Sequence, residues 1–210
     1  MTDLVLMPTL IQNRADKLLL ASGSWTRRRI LENAGLVFEV EASPVDEAPL
    51  KQEGRQKNWS ADVVALRLAE AKALSIKKQD TIVIGADQML TCGADWYDKP
   101  EGLAGARQQL LQLRGKTHVL HTAVVLCQNG HVLWRHVAQP KLTMRMFSHS
   151  FVDAYLAMEG EACLGSVGSY RLEGPGIQLF AAIEGDAFAI QGLPLLPLIA
   201  ALRDMKVLPD

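Results

Sequence analysis

At 210 residues the chain is long enough to bury a substantial core, and with 49% hydrophobic and 21% charged residues its composition excludes disordered, fibrous and disulfide-scaffold classes. Lysine plus arginine (22) and aspartate plus glutamate (23) nearly cancel to a formal charge of -1, which removes the strong basic field of a protein that grips long nucleic acid nonspecifically. Cys92, Cys127 and Cys163 lie far apart with no CxxC pair, so they form neither a thiolate zinc cluster nor a disulfide framework and point to reduced thiols in a cytoplasm. The apolar run Leu4 to Met7 is too short for a signal peptide or membrane span, and no membrane partner is expected.

Residues 1–16 lack a clear period and read as a leader ahead of one domain spanning 17–210. Lys17 to Ser22 is an apolar run suited to a buried strand, and Ser24 can cap a helix through about Asn33 that Gly35 terminates. Val37 to Ala42 predicts a second strand. Residues 43–57 are polar, contain two prolines and one glycine, and read as a long loop of the kind that often carries function. Ser60 then caps a helix to about Ser75, with Val64, Leu68, Ala71 and Ser75 along one stripe. Asp80 to Gly85 is a strand, Leu103 to Arg114 a helix closed by Gly115, and Thr117 to Cys127 a strand. Asn129-Gly130 marks a hairpin into residues 131–147. A helix over about 150–159 ends at Gly160, two short strands fall near 178–190, and a last helix covers 193–205. Strands alternating with helices, then a hairpin, predict an α/β fold in which helices flank a mixed sheet, as one domain with two lobes.

Several familiar patterns fail on inspection. Gly115-Lys116-Thr117 imitates the end of a P-loop, but Leu110 stands where the first glycine belongs. Gly174-Pro175-Gly176 begins like a dinucleotide fingerprint, yet Leu179 breaks it and no buried strand precedes it. His118 and His121 fall on opposite faces of a strand and read as exposed or partly buried strand residues.

The informative residues are charges that intrude on apolar patterns. Ser22-Gly23-Ser24 leads from a strand into a helix N-terminus, whose free N–H groups and positive dipole end suit phosphate. Arg27 lies on the inner stripe of that helix, whereas Arg28 and Arg29 can pair with Glu32 at the surface. Lys72 sits at the edge of the next buried stripe, where its stem can pack while its ammonium reaches a cleft. Asp87 follows an apolar strand and is expected at its C-terminal end, where α/β proteins place their chemistry. Pattern alone leaves Glu47 equally a solvated loop acid, and Lys99 a lone lysine in a turn.

Taken in order, Ser22-x-Ser24-x-x-Arg27-Arg28, Val45-Asp46-Glu47, Leu68-Ala69-x-x-Lys72-Ala73, Ile84-Gly85-Ala86-Asp87, Asp98-Lys99-Pro100 and Ile183-Glu184-Gly185-Asp186 resemble the Maf (septum formation inhibitor) family of nucleoside triphosphate pyrophosphatases. The resemblance covers roughly residues 18–203. It implies an elongated mixed sheet with a central cleft between two lobes (Maf/ITPase-like), and hydrolysis of a nucleoside triphosphate to monophosphate and pyrophosphate. It also implies a divalent cation, Mg or Mn, and a homodimer. Carried over by position, Asp87 matches the catalytic proton acceptor and Glu47 the second acid, the two serving as metal ligands. Lys99 joins them as a catalytic cation, and Ser22, Ser24, Arg27 and Lys72 match substrate-binding positions. Thr26, Gln88 and Glu173, specificity positions, depart from the commonest pattern, and the Gln88 and Glu173 pair resembles the subgroup acting on 7-methylguanosine triphosphate. A noncatalytic nucleotide-binding regulator of cell division is the competing class, against which the retained acids argue for catalysis, and a phosphosugar enzyme is a third.

Overall fold

The computed structural model describes Gln12 and residues 17–209; apart from Gln12, the leader lies outside the described residues. Gln12 is buried and bonds the backbone of Val37 twice, donating to its carbonyl at 3.0 Å and accepting from its N–H at 2.9 Å. In chain order the elements are β1 (Lys17–Leu20), α1 (Trp25–Asn33), β2 (Glu39–Val40), α2 (Ala48–Gln56), α3 (Ala61–Ser75), β3 (Thr81–Cys92), β4 (Asp95–Tyr97), α4 (Gly102–Leu113), β5 (Thr117–Gln128), β6 (His131–Ala138), β7 (Lys141–Met144), α5 (His149–Glu159), β8 (Phe180–Glu184), α6 (Ala187–Ile190) and α7 (Leu195–Asp204).

These build the expected α/β fold, an open mixed sheet ordered β2-β1-β3-β5-β7-β8, with β4 beside β3 and β6 beside β5. The first three strands in that order are parallel and the remaining pairings are antiparallel. The long strands β3 and β5 pair from Val83↔Cys127 to Thr91↔Val119 and serve three hydrophobic clusters. One face carries α1 and α7 on Leu20, Ile84 and Leu126; the other carries α3 on Leu19, Val83 and Val125. The third cluster gathers α4 and α5 against Leu90, Leu120 and Leu142 at the far end of the same strands.

Five local expectations need correction. The stretch 43–57 is not all loop: Ala48–Gln56 is helical because Pro49 occupies the first turn, where its missing N–H costs nothing. The helix docks through Gly54, at which a Cβ would come within 2.6 Å of Val64 Cγ2. The strand ending near Gly85 continues to Cys92, since register with β5 outweighs the interruption by Gly85, Asp87 and Gln88. Only Glu39–Val40 of the predicted strand 37–42 pairs, and β4 was not anticipated. Near 178–190 there is one strand, because the Asp186 carboxylate accepts the Ala189 N–H at 2.9 Å and caps α6 instead. Finally, His118 is completely buried, with Nε2 2.8 Å from the Tyr170 hydroxyl, and desolvation lowers its pKa to about 4.

Gly85 sets the distance between α3 and β3. A Cβ there would lie 2.1 Å from the Ala69 carbonyl oxygen and 2.8 Å from the Ala73 Cβ, so only glycine permits this approach. Gly85→Ala is expected to cost about 1–3 kcal/mol of unfolding free energy, the usual scale of overpacking. Urea unfolding with an unchanged midpoint would show that the two elements part freely.

Candidate active site

Several segments converge where the sheet has a gap. β1 accompanies β3 through Ile84 and β4 rejoins it at Leu90, which leaves Gly85–Met89 without a strand on that edge among the described residues. Asp87 is therefore mid-strand rather than at a strand end, yet the gap opens both it and Gln88 to a cleft of about 800 Å³. Period-two alternation sends the two side chains to opposite faces of the sheet. Asp87 points to the α3 side, and Gln88 to the side of α6.

The chain leaves β1 through Ser22-Gly23-Ser24 and enters α1, with Ser24 accepting the Arg27 N–H at 3.3 Å as N-cap. Ser22 Oγ accepts the Ser24 N–H and an Arg27 N–H, each at 3.2 Å. Arg27 also donates to the carbonyls of Gly192 at 2.8 Å and Ala86 at 3.0 Å, so one guanidinium joins α1, β3 and the turn before α7. Burial lowers its pKa, a trend that Asp87 and Glu47 oppose.

Lys72 on α3 lies between the two acids, with Nζ 2.6 Å from Glu47 Oε1 and 2.6 Å from Asp87 Oδ1. Lys51 on α2 holds the other Glu47 oxygen at 3.0 Å and Asp98 Oδ1 at 2.7 Å. The two carboxylates diverge electrostatically. Burial pushes the Asp87 carboxyl above its ordinary range; Lys72 and Arg27 oppose this, and the Glu47 charge adds to it. Burial acts on Glu47 in the same sense, but the Lys72 and Lys51 ammoniums prevail and hold it down to about 2. Asp87 Oδ2 is buried without a hydrogen-bond partner. A second group aimed at this site would satisfy it.

Every residue singled out in the sequence borders this one cleft: Ser22, Ser24, Thr26, Arg27, Glu47, Lys72, Asp87, Gln88, Lys99 and Glu173. Glu173 Oε1 accepts the Thr26 hydroxyl at 3.4 Å. The Gln88 amide nitrogen is anchored to Thr122 Oγ1 at 2.8 Å and to the carbonyls of Ala189 and Ile190 at 3.0 and 3.1 Å. Trp25 also lines the cleft, 61% exposed, with the Arg29 guanidinium 5.2 Å from its ring centroid. Sequence reasoning missed Lys51 and Arg171. Lys51 stands one helical turn after Glu47, a spacing that carries meaning once 48–56 is recognised as helix. Arg171 is tied to the buried Glu159, a partner remote in sequence and invisible to any local pattern.

The fold and the cleft together define an α/β protein with a cleft suited to a polyanion: a helix N-terminus and several cations face two carboxylates of unequal acidity. The model of the Maf-like protein family matches residues 17–205, and the chain belongs to that family. It is similar to a nucleoside triphosphate pyrophosphatase of Granulibacter bethesdensis, 52% identical over 91% of this chain and 98% of that one. A nucleoside triphosphate pyrophosphatase of Rhodospirillum rubrum is 50% identical over 91% of this chain and 95% of its own length. A 7-methyl-GTP pyrophosphatase of Rhizobium meliloti is 47% identical over 90% of this chain and 96% of its own.

Proposed function

We propose that the chain hydrolyses a nucleoside triphosphate between its α- and β-phosphates, releasing a nucleoside monophosphate and pyrophosphate. The observation that carries this reading is Asp87: a buried carboxylate of raised pKa, with one oxygen paired to Lys72 and the other unpartnered, bordering a cationic cleft. Its raised pKa brings it closer to the range in which a carboxylate accepts a proton from an attacking water. Water attacks the α-phosphorus, its proton passes to Asp87, and the bond from that phosphorus to the bridging oxygen breaks as pyrophosphate leaves. Arg27, Lys72 and Lys99 neutralise phosphate charge, and the Ser22–Ser24 turn offers N–H groups at the start of α1. The noncatalytic regulator is the weaker reading, because carboxylates beside a phosphate ligand repel it unless a metal bridges them, and a pure binder gains nothing from a buried acid of raised pKa.

A divalent cation, Mg or Mn, would be held first by the unpartnered Asp87 Oδ2 and, once Lys72 or Lys51 releases one of its oxygens, by Glu47, and hard cations complete their shell with phosphate oxygens and water. When bound it would neutralise the triphosphate and make the attacking water more acidic. Among the described residues no helix is long and apolar enough to cross a membrane. A cytoplasmic homodimer whose residues 17–210 form one domain of two lobes belongs to the same reading. The one-domain part is supported by the two long strands that run through all three hydrophobic clusters, and the two-lobe part by the separation of the α4–α5 cluster from the other two along them.

For the base we favour 7-methylguanosine. A purine methylated at N7 carries a delocalised positive charge and keeps N–H donors on its pairing edge, and the Glu173 carboxylate at the cleft answers both. The exposed Trp25 indole offers a face that attracts a cationic ring more than a neutral one. Purified protein with magnesium or manganese should therefore release pyrophosphate with a higher kcat/KM on 7-methyl-GTP than on GTP, dTTP or UTP. Glu173→Gln should narrow the gap to GTP by about 1–3 kcal/mol, the cost of losing a hydrogen bond to a charged group. A preference for dTTP or UTP would sink the base assignment alone, whereas orthophosphate release would overturn the bond assignment.

A further inference from the structure

The third hydrophobic cluster contains a polar pair outside the cleft. Gln109 lies on the inner face of α4 beside Ala106, Leu110 and Leu113, and is 9% exposed, while Ser169 is completely buried. A primary amide in such surroundings is costly unless both of its ends are bonded. Here both are: Nε2 donates to the Asp98 carbonyl at 2.8 Å, and Oε1 accepts from Ser169 Oγ at 2.6 Å.

These two bonds lead to different walls of the cleft. Asp98 immediately precedes Lys99, and its carboxylate meets Lys51, which also grips Glu47. Ser169 lies in the stretch 166–173, whose Tyr170, Arg171 and Glu173 border the cleft. That stretch has neither helix nor strand to hold it: Gly168 sits at φ +136° and Ser169 at φ +60°, and the Ser169 carbonyl is secured by the Tyr155 hydroxyl at 3.1 Å. Irregular backbone of this kind depends on side-chain hydrogen bonds for its placement.

We propose that Gln109 is a positioning residue for both walls, spacing the turn that carries Asp98 and Lys99 from the segment that carries Arg171 and Glu173. An apolar side chain of similar volume would fill the space but leave the Asp98 carbonyl and the Ser169 hydroxyl unmet, so the two walls would lose their common reference. Because it links the Lys99 turn to the Glu173 segment, the proposal's kinetic consequence rests on the pyrophosphatase reading; its structural consequence does not.

Gln109→Met, Ser169→Ala and the unaltered protein should be compared by hydrogen–deuterium exchange and by pyrophosphate release, both well below the melting temperature. Gln109→Met should speed exchange in 97–101 and in 166–173 together, and Ser169→Ala only in 166–173. Gln109→Met should also lower kcat/KM by about 10- to 100-fold, the range for misplaced supporting groups, and compress the ratio between 7-methyl-GTP and GTP. If Gln109→Met does not fold, Gln109→Leu replaces it: this too removes both hydrogen bonds and should release 97–101 and 166–173 together. Unchanged exchange at 97–101 in the folded Gln109 variant would overturn the proposal. So would a lowered melting temperature with kinetics and base ratio intact, which is the mark of a merely structural residue. If the unaltered protein turns over no triphosphate, the function falls and the exchange pattern still decides the role of Gln109.

Discussion

Asp87→Asn is expected to lower kcat for pyrophosphate release by at least about 100-fold, the scale of a general-base contribution. Asparagine keeps the oxygen that faces Lys72 but cannot take a proton from water, so substrate binding should change far less than turnover. Stability should move the other way. Asp87 is 4% exposed, and burial raises its pKa above the ordinary 3.8. A carboxyl raised in the folded state binds its proton more tightly there than in the unfolded chain. Its ionisation therefore costs nothing below pH 3.8, and costs progressively more as pH rises to the folded value. The variant escapes that cost, so its melting temperature at neutral pH should equal or exceed that of the unaltered protein, and the difference should shrink on acidification. Near-normal turnover with an unchanged melting curve would show that Asp87 is not the base.

Lys72→Met should be damaging in both respects. The ammonium is 2.6 Å from Glu47 and 2.6 Å from Asp87, at side-chain exposures of 12% for Lys72 and 6% for Asp87. Removing it leaves the buried Asp87 without its cation, and breaking such a pair from one side costs about 3–5 kcal/mol, whereas the contact to Glu47, 37% exposed, adds little. Asp87 also loses the cation that opposes its upward shift, so it should be protonated over a wider pH range and turnover should fall steeply near neutrality. The destabilisation should ease at lower pH, where the uncompensated Asp87 takes up a proton. A melting deficit that is the same at pH 5 and pH 8 would mean that Lys72 acts through packing alone. In the unaltered protein Glu47 contributes oppositely to Asp87. Its pKa is depressed from 4.5 to about 2, so its contribution is present above pH 4.5 and is lost as pH falls through that interval.

Much of the site was legible because its parts are short and local. The Ser22–Arg27 turn, Lys72 at the edge of a buried stripe, and Asp87 within an apolar run each break a helical or strand period in a way that needs only a few neighbouring residues to detect. The less legible parts depend on partners distant in sequence. Pro49 and Gly54 make 48–56 look like a loop until Val64, Trp59 and Trp96 are seen packed around Gly54. With that helix unread, Lys51 had no reason to stand out. Gln109 looked like an ordinary polar residue of a helix, and His118 like a half-exposed strand residue, because burial by α5 and by the 166–173 segment leaves no trace in local periodicity.

By itself the sequence determined most of the elements, though not α2 or β4, and which chemical groups are available: apolar runs of strand and helix period, a serine-capped helix start, and acids and cations in an order that resembles one enzyme family. Only the tertiary structure decided that Lys72 meets acids 25 and 15 residues away, that Asp87 lies in mid-strand yet opens into a gap, and that its second oxygen is buried without a partner. The division has a physical cause. Propensity and periodicity act over a few residues, whereas strand register and the close approach of α3 at Gly85 are settled by packing between distant segments. It is that packing which removes water from Asp87, leaves Glu47 ionised beside two lysines, and makes two carboxylates of one residue class unequal in acidity.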